Sequence, residues 1–394
     1  MEHKLQHNTP RNTKTNALKF IVLLGVVSLL ADITYEGARS INGPYLAVLG
    51  ASATTVGFVA GFGELVGYGL RIISGYITDR IGRYWVITLF GYSLNMIAVP
   101  ALALAGRWEI AAFLMIMERV GKAIRTPARD AMLSHATKEI GRGKGFGLHE
   151  AMDQIGAVLG PLILAGVIHF KGGYRTGYIT LLCPAILAIC VLLAARFLYP
   201  QPRNLEVSLP ELETKGFPKR FWIYLAAVAA IAAGYADFPL IAYHFQKNLV
   251  ASPNWIPLFY AIAMGVDAVA ALFFGYLFDR KGISVLIYSS LISMLFAPLV
   301  FLGNFSCALM GMVVWGIGMG AQESIMRAAL AEMVPVNKRG AGYGIFNAGY
   351  GIFWFLGSAF MGILYDFSLM SLIVFSVLSQ FASVPLLFWI RKTK

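Results

Sequence analysis

The sequence predicts an all-α membrane protein whose twelve transmembrane helices form two pseudo-symmetric six-helix bundles. Composition, the lengths of the apolar runs and an internal repeat carry that prediction. Of 394 residues, 58% are hydrophobic and only 13% are charged, against about 45–50% and about 25% in a soluble domain. So little charge could not cover a soluble surface. This excludes a cytosolic enzyme, a disordered protein and a soluble nucleic-acid-binding module. The apolar residues gather in runs of about 20 or more, the length a helix needs to cross hydrocarbon. The runs are too long and too continuous for barrel strands.

The spans are read at 17–46, 54–78, 84–105, 108–134, 145–169, 175–198, 220–247, 254–278, 283–303, 306–333, 341–365 and 369–390. Residues 1–16 form a polar N-terminal tail. The run after it exceeds a spanning length and shows no small-residue cleavage site, so it is read as a retained helix rather than a signal peptide. Of the 32 Lys and Arg, 21 lie in the tails and loops of one side and 4 on the other. By the positive-inside rule the richer side, which holds both termini, is cytoplasmic. The net charge of +12 is thereby explained as topology, facing anionic lipid, and no nucleic-acid partner is expected. The interval 199–219, with Pro200, Pro202, Pro210 and Pro218, reads as a cytoplasmic linker. It divides an N-terminal bundle (17–198) from a C-terminal bundle with a short tail (220–394). Cys183, Cys190 and Cys307 lie in apolar runs without metal-ligand spacing and are read as packing residues. No metal and no cofactor is expected.

The two halves repeat one another. Gly75-Tyr-Ile-Thr-Asp79-Arg80-Ile-Gly82 returns as Gly275-Tyr-Leu-Phe-Asp279-Arg280-Lys-Gly282, and Arg142-Gly-Lys-Gly-Phe-Gly147 returns as Arg339-Gly-Ala-Gly-Tyr-Gly344. Two motifs recurring in order, in matching loops, indicate duplication. On these residues the chain resembles the major facilitator superfamily, over about Ala17 to Ile390. The most specific match is Gly75-x-x-x-Asp79-Arg80-x-Gly82-Arg83 between the second and third spans, although Tyr84 stands where the family usually carries a further cation. Arg119 resembles the Arg-led motif of the fourth span, with Ala123 in place of the usual Gly. Gly156-x-x-x-Gly160-Pro161 resembles the fifth-span signature of proton-exchanging exporters, and it also reads as a close-packing device.

The resemblance implies alternating access, in which two bundles rock about a mid-membrane site. Asp79, Arg80 and their copies Asp279 and Arg280 would then act as a gate. Asp79 would reach a helix N-terminus such as that of the eleventh span, or pair with Arg129.

Charged residues inside the spans are the candidate machinery, since each costs roughly 2.5–3.5 kcal/mol on insertion scales. Asp32 lies near mid-depth of the first span, with Glu36 and Arg39 further along nearly the same face. Asp32, Glu36, Asp153 and Asp237 are the proton-coupling candidates. Arg39, Glu64, Glu118, Lys122, Arg125, Glu323 and Arg327 are the cavity candidates. Glu118, Lys122, Arg125 and Arg129 share one stripe of the fourth span. Glu150 and Asp153 are expected to pair with Arg125 and Arg129, and Arg39 and Lys122 with Glu36 and Glu118. Charge partnership and a substrate role stay open for Arg39 and Lys122. His244 is expected to cap a helix end or face water.

The function expected is a monomeric, proton-coupled exporter of a small organic solute in a bacterial cell membrane. The alternative is proton-coupled uptake of a small organic anion, received by Lys122, Arg125 and Arg129. A membrane receptor or a lipid-acting enzyme is remote: there is no appended soluble domain, and no His-Glu-x-x-His, P-loop or Gly-x-Ser-x-Gly motif.

Overall fold

A computed structural model describes residues 10–137, 142–170, 172–200, 216–334 and 339–392. All twelve expected spans are helical. They are α1 (Pro10–Val48), α2 (Ala53–Ile81), α3 (Tyr84–Ala101, prolonged by a 3-10 turn Leu102–Leu104), α4 (Trp108–Thr137) and α5 (Arg142–His169). The sixth span is split into α6 (Tyr174–Thr180) and α7 (Leu182–Leu198), and the seventh into α8 (Lys219–Gly234) and α9 (Phe238–Lys247). There follow α10 (Trp255–Lys281), a ninth span split into α11 (Ser284–Ser293) and α12 (Phe296–Leu302), then α13 (Phe305–Met333), α14 (Arg339–Phe367) and α15 (Leu369–Lys392). Eleven stretches among the described residues are long and apolar enough to cross a bilayer. The exception is the fourth span, α4, which has the length but carries a row of charges. Its charges turn toward other helices: Glu118 and Arg125 are buried.

The surface is apolar, with Ile97, Phe197 and Leu272 all exposed, while Ser28, Asp32, Thr34, Glu36 and Gln380 are buried. This distribution suits lipid as the solvent. Small residues set the helix spacing. A Cβ on Gly156 would lie 2.4 Å from the Leu29 carbonyl oxygen, and one on Gly160 2.4 Å from that of Ile33, so both glycines seat α5 on α1. Gly82, at φ 61°, ends α2 in the left-handed conformation and donates its N–H to the Thr78 carbonyl at 2.8 Å. Only Gly82 and Arg83 then separate α2 from α3.

The seventh span departs from the sequence expectation, which ran unbroken over 220–247. Tyr235, Ala236 and Asp237 leave the helix between α8 and α9, with Pro239 in the first turn of α9. The freed carbonyls are satisfied by side chains. Gly234 accepts from Ser376 Oγ at 2.6 Å and Gln380 Nε2 at 3.2 Å, and Ala236 accepts from Trp315 Nε1 at 3.0 Å. Non-helical backbone at membrane depth is tolerated where protein satisfies it in this way.

The bundles meet along the half of the molecule away from the termini, the far side. There Thr54 donates through N and Oγ1 to Asp366 Oδ2, both at 2.8 Å, and Tyr174 OH donates to Gln246 Oε1 at 2.7 Å. A Cβ on Gly57 would lie 2.4 Å from Ser358 O, and one on Gly43 only 1.9 Å from Pro239 O. On the terminal side of mid-depth, Glu150 of α5 and Glu323 and Arg327 of α13 are exposed. This conformation is closed on the far side.

Candidate functional site

The face of α1 organises the site. Residues four and seven apart lie on one side of a helix, so Asp32, Glu36 and Arg39 form a column. Arg39 Nη2 stands 3.1 Å from Glu64 Oε1 of α2 and 2.8 Å from Asp237 Oδ1 at the start of α9. Arg119 of α4 approaches the same Glu64 oxygen at 3.3 Å and Glu118 Oε2 at 3.3 Å. Asn95 of α3 donates to Glu118 Oε1 at 2.9 Å. Trp354 of α14 donates to the other oxygen of Asp237 at 3.3 Å. One chain of charges, anchored by Asn95 of α3, thus runs from α4 through α2 and α1 into the second bundle. A cavity of about 30 Å³ lies among Arg39, Glu118, Arg119 and Asp237, room for one or two waters and not for an organic solute.

One turn toward the termini, Glu36 Oε2 accepts from Tyr260 OH of α10 at 2.5 Å, a second link across the bundles, and Oε1 lies 3.9 Å from Lys122 Nζ. Lys122 also sits 3.8 Å above the Tyr35 ring. Asp32 is buried beneath this pair, where Gly156 lets α5 approach: a Cβ there would lie 2.8 Å from Asp32 Cβ. Among the described residues Asp32 makes no ion pair within 4.0 Å. Its charged neighbours are Asp153, Lys122, Glu36 and Arg125.

Several expected pairings differ: Arg39 finds partners on other helices, whereas Asp153 and Arg129 find nearer ones on their own. Arg39 binds Glu64 and Asp237 rather than Glu36. Asp153 faces His149 at 3.5 Å, and its Oδ1 has no hydrogen-bond partner among the described residues. Glu150 is exposed. Arg125 is fully buried, lies 4.1 Å over the Tyr92 ring, and leaves Nε and Nη1 without partners among the described residues. His244 neither caps nor faces water: it is buried, with Nδ1 3.0 Å from Tyr365 OH and 2.9 Å from Asn248 Nδ2.

The gate residues are reached only in part. The side chain of Asp79 lies outside the described residues, as does the linker segment 201–215. Arg80, Arg83, Asp279 and Arg280 are exposed, and Arg280 covers the Tyr276 ring at 4.2 Å. Gly75 faces Pro127 of α4. Arg129 donates to Asp130 Oδ1 at 2.8 and 2.9 Å and to Ser28 Oγ at 2.9 Å. Gly156, Gly160 and Pro161 lie on α5, the two glycines packed on α1.

Tyr260, Asn95, Gln154, Asp267 and Trp354 join the site only through the fold. Gln154 Nε2 approaches Asp267 Oδ2 at 3.4 Å between α5 and α10. Nothing in local spacing signals such contacts. Asp267 is the exception, since a carboxylate within an apolar span is visible in the sequence, although its partner is not.

The sequence profile of the Major Facilitator Superfamily matches residues 24–358 and, separately, 224–394. The chain belongs to the Major Facilitator Superfamily. This superfamily member is 39% identical over 383 residues to an uncharacterized protein of Mycobacterium tuberculosis, covering 95% of the chain and 94% of that relative. It is 25% identical over 402 residues to an uncharacterized MFS-type transporter of Methanocaldococcus jannaschii, covering 98% of each. Over 115 residues, 29% of the chain and 28% of the relative, it is 34% identical to multidrug resistance protein MdtH of Proteus mirabilis. The fold matches a point mutant of the nucleoside transporter NupG with a TM-score of 0.78 at 14% identity, over 93% of this chain and 99% of that one. A bacterial homologue of the lysosomal transporter Spinster, inward-facing and occupied, matches with a TM-score of 0.76 at 15% identity, over 96% and 97%. This superfamily member is a multi-pass membrane protein and a secondary transporter, not an enzyme.

Proposed function

We propose that this transporter exports a small organic solute across the bacterial cell membrane in exchange for protons, working as a monomer with both termini in the cytoplasm. The observation that carries the proposal is Asp32. It is buried at mid-depth beside Lys122, Arg125 and Asp153, yet among the described residues has no ion pair to break when it gains or loses a proton. The partial likeness to MdtH and the Gly156-x-x-x-Gly160-Pro161 resemblance support export. The excess of cations on the terminal side supports the orientation, and the far side is then the cell exterior.

In the conformation described, solute enters from the cytoplasm past Glu150, Glu323 and Arg327 while Arg39–Asp237, Glu36–Tyr260 and Thr54–Asp366 hold the exterior shut. Rocking breaks those contacts and engages the Asp79 loop on the opposite side. Asp32 then meets external water, takes up a proton, and the solute leaves. The return swing delivers that proton inward.

A thermal-shift screen of metabolites and drugs at two pH values supplies a transported ligand. In everted vesicles, acidifying the interior should drive accumulation of that ligand. Loss of ligand instead would establish uptake by symport. In proteoliposomes Asp32→Asn should abolish proton-driven flux with the protein still folded, and unchanged pH-dependent transport in this variant would remove Asp32 from the mechanism.

A further inference from the structure

A buried row of groups runs from the Asp32–Asp153 pair toward the terminal-side end of α4. His149 Nδ1 lies 3.5 Å from Asp153 Oδ2, one turn along α5. Its Nε2 lies 3.0 Å from Ser28 Oγ of α1. Ser28 Oγ also accepts from Arg129 Nη1 at 2.9 Å and stands 3.5 Å from Tyr92 OH. Ser28, His149 and Tyr92 are all buried. Tyr92 in turn lies beneath the Arg125 guanidinium.

Donor and acceptor inventory gives this row two arrangements in which Oδ2 of Asp153, the oxygen facing the ring, either accepts or donates across the 3.5 Å contact with Nδ1. Arg129 is always a donor, so one lone pair of Ser28 is always occupied. When Asp153 is ionised, only an N–H suits it. Nδ1 then carries the ring proton, Nε2 is bare, and Ser28 must aim its O–H at Nε2. When Asp153 holds a proton on Oδ2, that O–H donates to a bare Nδ1. Nε2–H then donates to the second lone pair of Ser28, whose O–H must turn to Tyr92. The two arrangements differ by one proton: one is gained by Asp153, and the single ring proton sits on Nε2 instead of Nδ1.

We propose that His149 is a tautomer relay that converts the protonation of Asp153 into a reorientation of Ser28, read by Tyr92. The relay rests on the proton-coupled reading of this transporter and specifies how its proton site communicates with the terminal-side end of α4. The charged groups facing the row are Asp32 of α1, Lys122, Arg125, Arg129 and Asp130 of α4, and Glu150 of α5. Arg129 and Arg125 flank the ring, so the relay works with a singly protonated imidazole.

Nitrogen NMR of histidine-labelled full-length protein in nanodiscs tests it, with the His149 signals assigned by their disappearance in H149Q. As pH falls, the protonated and bare ring nitrogens of His149 should exchange chemical shifts in one step, from Nδ1–H to Nε2–H. Asp153→Asn should leave one tautomer over the whole range. A wild-type tautomer that stays fixed with pH overturns the relay, as does a step that persists in Asp153→Asn. The wild-type titration decides even if the Asp153 variant fails to fold. The outcomes separate cleanly: proton-driven flux with a fixed tautomer sinks the relay alone, and a tautomer step without proton-driven flux sinks the transport reading alone.

Discussion

At Gly156 and Gly160 a single hydrogen in place of a side chain decides how near α5 comes to α1. A valine at Gly160 would press on the Ile33 carbonyl and on Gly37, whose N is 2.8 Å from the virtual Cβ. Overpacking of this kind costs about 1–3 kcal/mol, so Gly160→Val should lower the unfolding midpoint of the purified protein. An unchanged midpoint would show that the helices separate freely. The resemblance to the exporter signature and the packing role meet in the same residues, because the close approach they permit is what encloses Asp32. The deep position of Asp32 was readable from its place within an apolar run. Its surroundings were not, since Asp153, Lys122 and Arg125 come from two other helices. The same reason explains Arg39: spacing along α1 offers Glu36, whereas the fold brings Glu64 and Asp237 nearer.

At the scale of elements, the break between α8 and α9 is the informative departure from a regular span. Gly234 and Pro239 flank it in the sequence, but apolarity runs straight through, so hydropathy alone reads one continuous helix. The break places Asp237 at a helix N-terminus, which favours a carboxylate there. Replacing Trp315 with Phe would strand the Ala236 carbonyl and should cost about 1–3 kcal/mol, measured as a lowered midpoint in thermal unfolding. The α1–α9 contact carries a second expectation. Leucine at Gly43 cannot fit against Pro239 while the far side is shut, so Gly43→Leu should shift the molecule toward the far-side-open state. Thiol labelling of a cysteine placed at Thr54, in a background lacking the native cysteines, should then become faster. Slower or equal labelling would contradict the closed assignment. The fourth span was legible despite its charges because its length and its flanking loops fit the count. A hydropathy threshold alone omits it.

For the whole molecule, the twelve spans and the repeat were plain in the sequence, since length and apolarity are what a bilayer selects. The conformational state was not, because the contacts that define it join residues such as Arg39 and Asp237, 198 positions apart, with no local pattern. Removing one partner of a buried pair strands the other, typically at about 3–5 kcal/mol. Arg39→Ala should therefore destabilise the far-side-closed state strongly. Arg39→Ala with Asp237→Ala together should cost less than the two single losses added, and strict additivity would mean that the pair does not hold the bundles together.

Because the Trp354 indole N–H donates to the same carboxylate that Arg39 grips, the transporter carries its own optical reporter. When the far side opens, the carboxylate on that indole loses its guanidinium partner, and the emission should change. Stopped-flow fluorescence, with Trp354→Phe as the blank, would then clock the swing between the two states in the absence of any cargo.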